Sequence, residues 1–168
     1  LVSSCSTKKK TYVSRKYHDI TAKYNGYFNG KESLKYGIKK LEESHTDDYL
    51  NILPVFKHSE IITSKTHHSY MDKSIQKGSV VIQKHSINIK NKEYCKWIDD
   101  SYFLVAKAYY FKGEYIEAKK TFNFIKNKYK KTEIAFEAEL WTGKCYISLE
   151  DYHSAESILD ELQLKKKF

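Results

Sequence analysis

The sequence has little of what breaks helices and little of what spans membranes. Among 168 residues there are one proline, six glycines and three cysteines. Because proline and glycine are the residues that helix interiors tolerate least, their scarcity suits an all-α protein. The apolar runs are only a few residues long, far short of the roughly 20 that a membrane-spanning helix needs.

The cysteines are also too few and too scattered for a metal site of the zinc-finger type. Cys5, Cys95 and Cys145 lie far apart in the chain and form no CxxC pair. His67 and His68 are adjacent, but neighbouring side chains on a helix diverge by about 100°, which makes them a poor chelating pair. We expect no metal.

Arginine is nearly absent although the chain is basic. The formal net charge is +9, yet Arg15 is the one arginine among 30 basic residues. Nucleic-acid interfaces draw heavily on the planar, bidentate guanidinium group, so the composition argues against one. An adaptor that binds nucleic acid or acidic ligands through lysine-rich faces stays open as the alternative function.

The region from Asp99 to Leu162 contains a duplication. Four residues recur 37 positions later in the same order: Tyr109, Tyr115, Ala118 and Phe122 are followed by Tyr146, Tyr152, Ala155 and Leu159. Ala106 likewise matches Gly143. A repeat of this size is typical of stacked units that cannot bury their apolar faces alone.

Each copy is predicted to contain two helices. Apolar residues at spacings of three and four form one stripe that ends at Gly113, and a second stripe begins at Tyr115. We expect Ala106/Gly143 and Ala118/Ala155 to be small because two helices cross closely there. A plain helical bundle with coincidental spacing is the alternative.

These residues resemble the tetratricopeptide repeat family. The small residue, the tyrosine three later and the Gly-x-Tyr-x-x-Ala run are all met in the first copy. Departures are Glu150 in place of the turn glycine, the missing proline, and a period longer than the usual 34 or so residues, which we attribute to a longer turn at 130–133. The resemblance implies an all-α fold of helical hairpins stacked as a tetratricopeptide-repeat solenoid. Its repeat-packing residues would be Ala106, Tyr109, Gly113, Tyr115, Ala118, Phe122, Gly143, Tyr146, Tyr152, Ala155 and Leu159.

The chain ahead of the repeats is expected to hold four further segments. Residues 1–16 would be a tether, 17–53 an N-terminal helical hairpin, 54–66 a loop, and 67–98 a helical segment leading into the repeats at 99–168. Within the hairpin, Asn29-Gly30 should end a helix over 17–28 and precede one over 31–44. A short segment at 47–53 stops at Pro54, and a helix is predicted over 70–85.

Leu1-Val2-Ser3-Ser4-Cys5 resembles the end of a bacterial lipoprotein signal, so Cys5 is expected to be the lipidated first residue after removal of an earlier segment. A free thiol near a frayed terminus is the alternative. The lysines at 8–10 that follow are free of acidic neighbours. In bacterial lipoproteins of the Bacteroidetes type, which this opening resembles, acidic residues after the cysteine favour export to the cell surface. The resemblance therefore implies the periplasmic leaflet of the outer membrane, where the lysines would add attraction to anionic lipid. A solvated tether is the alternative.

Further motifs are similar to the SprE/PorW lipoproteins of the type IX secretion and gliding-motility machinery of Bacteroidetes. They are the Cys5–Lys9 opening, the runs 12–18, 23–25 and 28–30, and Ile82–Ser86. The resemblance implies the N-terminal part of a longer protein that binds outer-membrane translocon proteins and other secretion-system components. It implies no small-molecule substrate and no cofactor besides lipid on Cys5.

No catalytic motif is present in the sequence, and we do not expect an enzyme. The repeat register instead predicts a concave protein-binding face. Its residues would be Asp100, Phe103, Lys107, Tyr110, Phe111, Glu137, Leu140, Lys144 and Ile147. Phe103, Tyr110 and Phe111 form either an exposed aromatic patch or part of the core against the preceding helix, over 70–85.

Overall fold

The computed structural model describes residues 7–8, 10–53 and 65–165. This part of the chain is mostly helical, as the composition predicts. The helices are α1 (Tyr12–Thr21), a π-helical turn (Ala22–Tyr27), α2 (Phe28–Glu43), a 3₁₀ turn (Lys65–His67), α3 (His68–His85), α4 (Ile98–Phe111), α5 (Tyr115–Lys128), α6 (Glu133–Ser148) and α7 (Tyr152–Lys165). Among the described residues, no helix has both the length and the apolar character needed to cross a membrane.

The first helices form one continuous run, not a hairpin. Thr11 caps α1 by accepting the Ser14 backbone N–H at 3.3 Å, and the helix then passes through the π-helical turn directly into α2. The prediction that Asn29-Gly30 ends a helix, and with it the N-terminal hairpin, is therefore wrong. A methyl group at Gly30 would lie 2.8 Å from Leu104 Cδ2, so this glycine permits close packing against α4. Residues 47–53 are also not helical.

The partner of α2 is α3, which runs beside it and against α4. Three further glycines allow close packing in this region. A methyl group at Gly26, in the π-helical turn, would overlap the Val81 side chain, and one at Gly37 or Gly78 would lie 2.7 or 2.6 Å from side-chain atoms of Met71 or Val105. The apolar core between the three helices consists of Leu34, Leu41, Met71, Leu104, Ala108 and Phe111.

A small β-hairpin links α3 to α4. Strands β1 (Asn88–Ile89) and β2 (Lys92–Glu93) pair antiparallel around Lys90 and Asn91, which both have positive φ, 52° and 61°. This conformation is that of a tight type I′ turn. The Glu93 carboxylate holds the end of the hairpin by accepting backbone N–H groups of Ile87, Tyr94 and Cys95 at 2.8, 3.0 and 3.0 Å. The hairpin lies inside the segment 67–98 that was predicted to be helical.

The turns after α4 and α6 have the same hydrogen bonds, 37 residues apart. The Glu114 N–H donates to the Tyr109 carbonyl at 2.9 Å, and the Asp151 N–H donates to the Tyr146 carbonyl at 2.9 Å. Gly113 (φ 85°) and Glu150 (φ 60°) supply the left-handed residue that this type of helix end requires. Glu150 thus takes the glycine's conformation without being a glycine.

Contacts between helices follow a regular order. Consecutive helices from α2 to α7 pack on each other, and in addition α2 contacts α4 and α4 contacts α6. The alternate set, α3, α5 and α7, shows no contact of comparable extent within the described ranges. Helices α2, α4 and α6 are therefore closer together on one side of the molecule, which we call the inner side.

Candidate functional site

The predicted face gathers around Trp141 of α6. The ammonium groups of Lys107 and Lys144 lie 5.0 and 4.4 Å from the centre of its ring. Leu140 and Ile147 of the same helix are exposed to 37% and 47%. The structure thus brings α4 and α6 residues of the face together on the inner side.

Trp141 also connects three helices, and the sequence interpretation missed it. Its ring stacks on Phe122 of α5 with a centroid separation of 5.7 Å, and it meets the edges of Phe103 and Tyr110 of α4 at 6.4 and 5.2 Å. The signal available in the sequence was only that Trp141 is one of two tryptophans. The residue falls outside the repeat register that we used to choose the face.

The three predicted aromatic residues have different surroundings. Phe111 is 9% exposed and packs in the core with Leu34 of α2 and Met71 of α3, so of the two alternatives it follows core packing, and its assignment to the protein-binding face is wrong. The Tyr110 hydroxyl hydrogen-bonds Ser148 Oγ at 3.1 Å, and burial raises the pKa of this tyrosine. Phe103 is half-buried against Phe122 and Trp141, so only its outer part is accessible.

Charge changes sign along the inner side. Asp99, Asp100, Glu133 and Glu137 border a cavity of about 330 Å³ at one end. Burial, and secondarily the neighbouring carboxylate of Asp99, raises the pKa of Asp100. Burial also lowers the pKa of Lys107, further along the face. Asp100 and Lys107 are both half-buried, and electrostatic interactions are stronger in such surroundings than in water.

No family model matches this chain, and no curated protein sequence matches it.

The predicted repeat-packing residues are not equally buried. Ala106, Ala118 and Phe122 are fully buried, whereas Leu159 and Tyr152 of α7 are exposed to 38% and 64%. Gly143 and Ala155 are buried, Gly113 lies in its turn, and Tyr109, Tyr115 and Tyr146 are half-buried. A methyl group at Gly143 would lie 3.6 Å from Ile158 Cγ2 of α7, an ordinary van der Waals distance, so this small position has room for alanine.

The cysteines and the adjacent histidines do not add a reactive centre to the face. Cys95 and Cys145 are buried free thiols, and burial raises the pKa of each to about 12, so both stay protonated at neutral pH. His67 Nε2 donates to the Phe111 carbonyl at 3.0 Å. Within the described ranges, no three His, Cys, Asp or Glu residues are placed to hold a metal ion. Cys5 lies outside the described residues.

Proposed function

We propose that this protein is a lipid-anchored scaffold of tetratricopeptide-repeat type, and that its inner side binds other proteins. The observation that carries the proposal is the repeated helix end at Gly113 and Glu150, with matching hydrogen bonds 37 residues apart. Two hairpins of the same construction in succession are what a solenoid contains.

The order of helix contacts supports the stacked arrangement. In a solenoid of helical hairpins, the first helix of each hairpin lies beside the first helix of the next. The pairs α2/α3, α4/α5 and α6/α7 fit this scheme, since α2 contacts α4 and α4 contacts α6. On this interpretation, the inner side is the concave, ligand-binding face, and the first hairpin is α2/α3.

The chemistry of the inner side suits a protein ligand. Leu140 and Ile147 expose apolar surface on the same helix as Trp141, the ammonium groups of Lys107 and Lys144 lie over its ring, and acidic residues lie at one end of the inner side. Interfaces between proteins commonly combine an aromatic and aliphatic centre with a polar rim. Among the described residues, the cavity of about 330 Å³ on this side is open to solvent, unlike the enclosed pockets in which small molecules usually bind.

The anchor and the partners rest on the sequence alone. We propose that Cys5 carries the lipid, that the protein sits on the periplasmic face of the outer membrane, and that its partners are translocon proteins and other components of a type IX secretion and gliding machinery. The resemblance of the opening residues to the SprE/PorW lipoproteins supports this assignment. A basic segment after the lipidated residue would add attraction to anionic lipid.

The test is affinity capture from solubilised outer membranes with the lipidated protein and two surface variants. We expect Leu140→Asp/Ile147→Asp to lose the translocon proteins that the parent retains. Ile116→Asp, at an exposed position on α5, should retain them. Equal retention by both variants would contradict the assignment of the face. Absence of acyl chains on Cys5 by mass spectrometry would contradict the anchor, and tight DNA binding that weakens steeply with salt would favour the nucleic-acid adaptor.

A further inference from the structure

An exposed apolar stripe runs along the first helices of the chain. Its residues are Val13, Tyr17, Ile20, Tyr24 and Phe28. They are exposed to 70%, 49%, 57%, 58% and 52% respectively. Their spacings of four, three, four and four residues keep them on one side of the helix. From Val13 to Phe28 the stripe is about 22 Å long at 1.5 Å per residue.

The opposite side of the same helical run is the side that packs against the rest of the protein. Ser14, His18, Ala22, Gly26 and Gly30 are buried there. The fold therefore does not need the stripe for its own packing among the described residues. A contiguous apolar surface of this extent on a protein usually marks a site of interaction with something else.

The charges around the stripe are almost all positive. Between residues 8 and 31 the sequence has seven basic residues and one acidic residue, Asp19. The Asp19 carboxylate accepts the backbone N–H of Lys96 at 2.8 Å, so it is held against the molecule. The ammonium groups of Lys16 and Lys23 lie 5.7 and 5.1 Å from the rings of Tyr12 and Tyr24, at the borders of the stripe.

We propose that this stripe lies on an anionic lipid surface, with its apolar side chains in the interfacial region and its lysines at the headgroups. Tyrosine suits this position because its ring is apolar and its hydroxyl remains in the polar layer. Lysine suits it because the long stem covers apolar surface while the ammonium reaches the phosphates. The excess of positive charge selects acidic lipid over a neutral bilayer.

This inference extends the proposed function, and the assignment of the stripe to the outer membrane rests on that proposal. The lipid on Cys5 would attach the chain to the membrane at one point only. The stripe would add a second contact with the membrane and would hold α1 and α2 along the bilayer. The inner side could then be presented at a fixed height above the lipid.

The test uses the chain with Cys5→Ala and no acyl group, so that failure of the stripe and failure of the anchor are separate results. The protein is sedimented with vesicles of phosphatidylethanolamine and phosphatidylglycerol, and with vesicles of phosphatidylcholine alone. We expect binding to the first and little to the second, and binding should weaken as salt screens the lysines. Ile20→Ser/Tyr24→Ser should lower the partition coefficient by about tenfold or more.

Ile116→Ser/Phe124→Ser removes comparable exposed apolar surface from α5 and should leave vesicle binding unchanged. If the stripe variant fails to fold, Ile20→Trp gives a second measurement. Relative to the parent, its added tryptophan emission should shift to the blue with anionic vesicles, whereas that of Ile116→Trp should not. Equal binding by the two double variants, or no shift for Ile20→Trp, overturns the proposal. So does concentration-dependent dimerisation that Ile20→Ser/Tyr24→Ser abolishes, since a second copy would then be the occupant.

Discussion

Gly113 and Glu150 occupy equivalent places at the ends of α4 and α6, with φ angles of 85° and 60°. In both turns the residue that follows donates its N–H back to a tyrosine carbonyl at 2.9 Å. The left-handed conformation costs a residue with a side chain about 1–2 kcal/mol, and it costs glycine almost nothing. The second turn therefore keeps its geometry under strain.

Replacement of Glu150 by glycine should stabilise the protein. We expect Glu150→Gly to raise the free energy of unfolding by about 0.5–1 kcal/mol, because relief of strain outweighs the added flexibility of the unfolded chain. The measurement is urea unfolding followed by circular dichroism. Gly113→Ala should instead lower the free energy of unfolding by about 1 kcal/mol.

Glu150→Ala is the control, since it removes the carboxylate and keeps the strained backbone. Its stability should stay within a few tenths of a kcal/mol of the parent. A gain from Glu150→Ala as large as that from Glu150→Gly would mean that the charge, not the backbone, is unfavourable.

Two helical glycines should respond in opposite ways to an added methyl group. At Gly78 the methyl would lie 2.6 Å from Val105 Cγ2 and 3.2 Å from the Ser101 carbonyl, whereas at Gly143 the nearest atom is 3.6 Å away. Gly78→Ala should therefore lose about 1–3 kcal/mol of stability through overpacking. Gly143→Ala should gain up to about 1 kcal/mol, because alanine is the better helix former.

Thermal unfolding of both alanine variants beside the parent measures the contrast. Gly78→Ser extends the series, since a larger side chain should lower the midpoint further than alanine does. An unchanged midpoint for Gly78→Ala would show that α3 and α4 can separate without loss of packing, contrary to the contacts at this crossing.

The helices of the duplicated region were predictable because local signals agree there. Apolar spacing marks their buried sides, and Gly113 marks the turn. The same reasoning failed at Asn29-Gly30. In a sequence, a glycine that allows a neighbouring helix to pack closely cannot be told apart from a glycine that ends a helix. Only the distance from Gly30 to Leu104 separates the two roles.

The β-hairpin and the centre of the face depend on contacts that the sequence does not display. The hairpin has two residues per strand and a Lys90-Asn91 turn without glycine, and the Glu93 carboxylate holds its end. Trp141 is central to the face because its side chain packs between α4 and α5. Neither feature produces a periodic pattern that could be read from the chain.

The contact between His18 and His85 should make stability depend on pH. Their Nδ1 atoms are 2.9 Å apart, so one ring must donate and the other must accept. Burial, then His18 and Lys84, lowers the pKa of His85. A base whose pKa is lower in the folded state binds more protons when the chain is unfolded. The stability that His85 contributes is therefore present above about pH 6.5 and is lost as the pH falls below that value.

Urea unfolding at pH 7.5, 6.5 and 5.5 should therefore show decreasing stability for the parent. His85→Gln, which cannot be protonated, should show a smaller decrease between the same pH values. Parallel curves for the parent and His85→Gln would assign the loss to other groups.

Lys126 of α5 and Glu139 of α6 form an ion pair of 2.6 Å, in which the glutamate side chain is only 4% exposed and the lysine 35%. Lys126→Met removes one charged partner of a buried carboxylate, so we expect it to lose about 2–3 kcal/mol of stability. Lys126→Met/Glu139→Leu should recover most of this loss, because an apolar pair needs no desolvation of charge.

The exposed pair Lys120–Glu117 on α5, at 2.7 Å, is the matched control and should contribute only about 0.3 kcal/mol. A double variant no more stable than Lys126→Met would show that Glu139 holds α6 through contacts other than this ion pair.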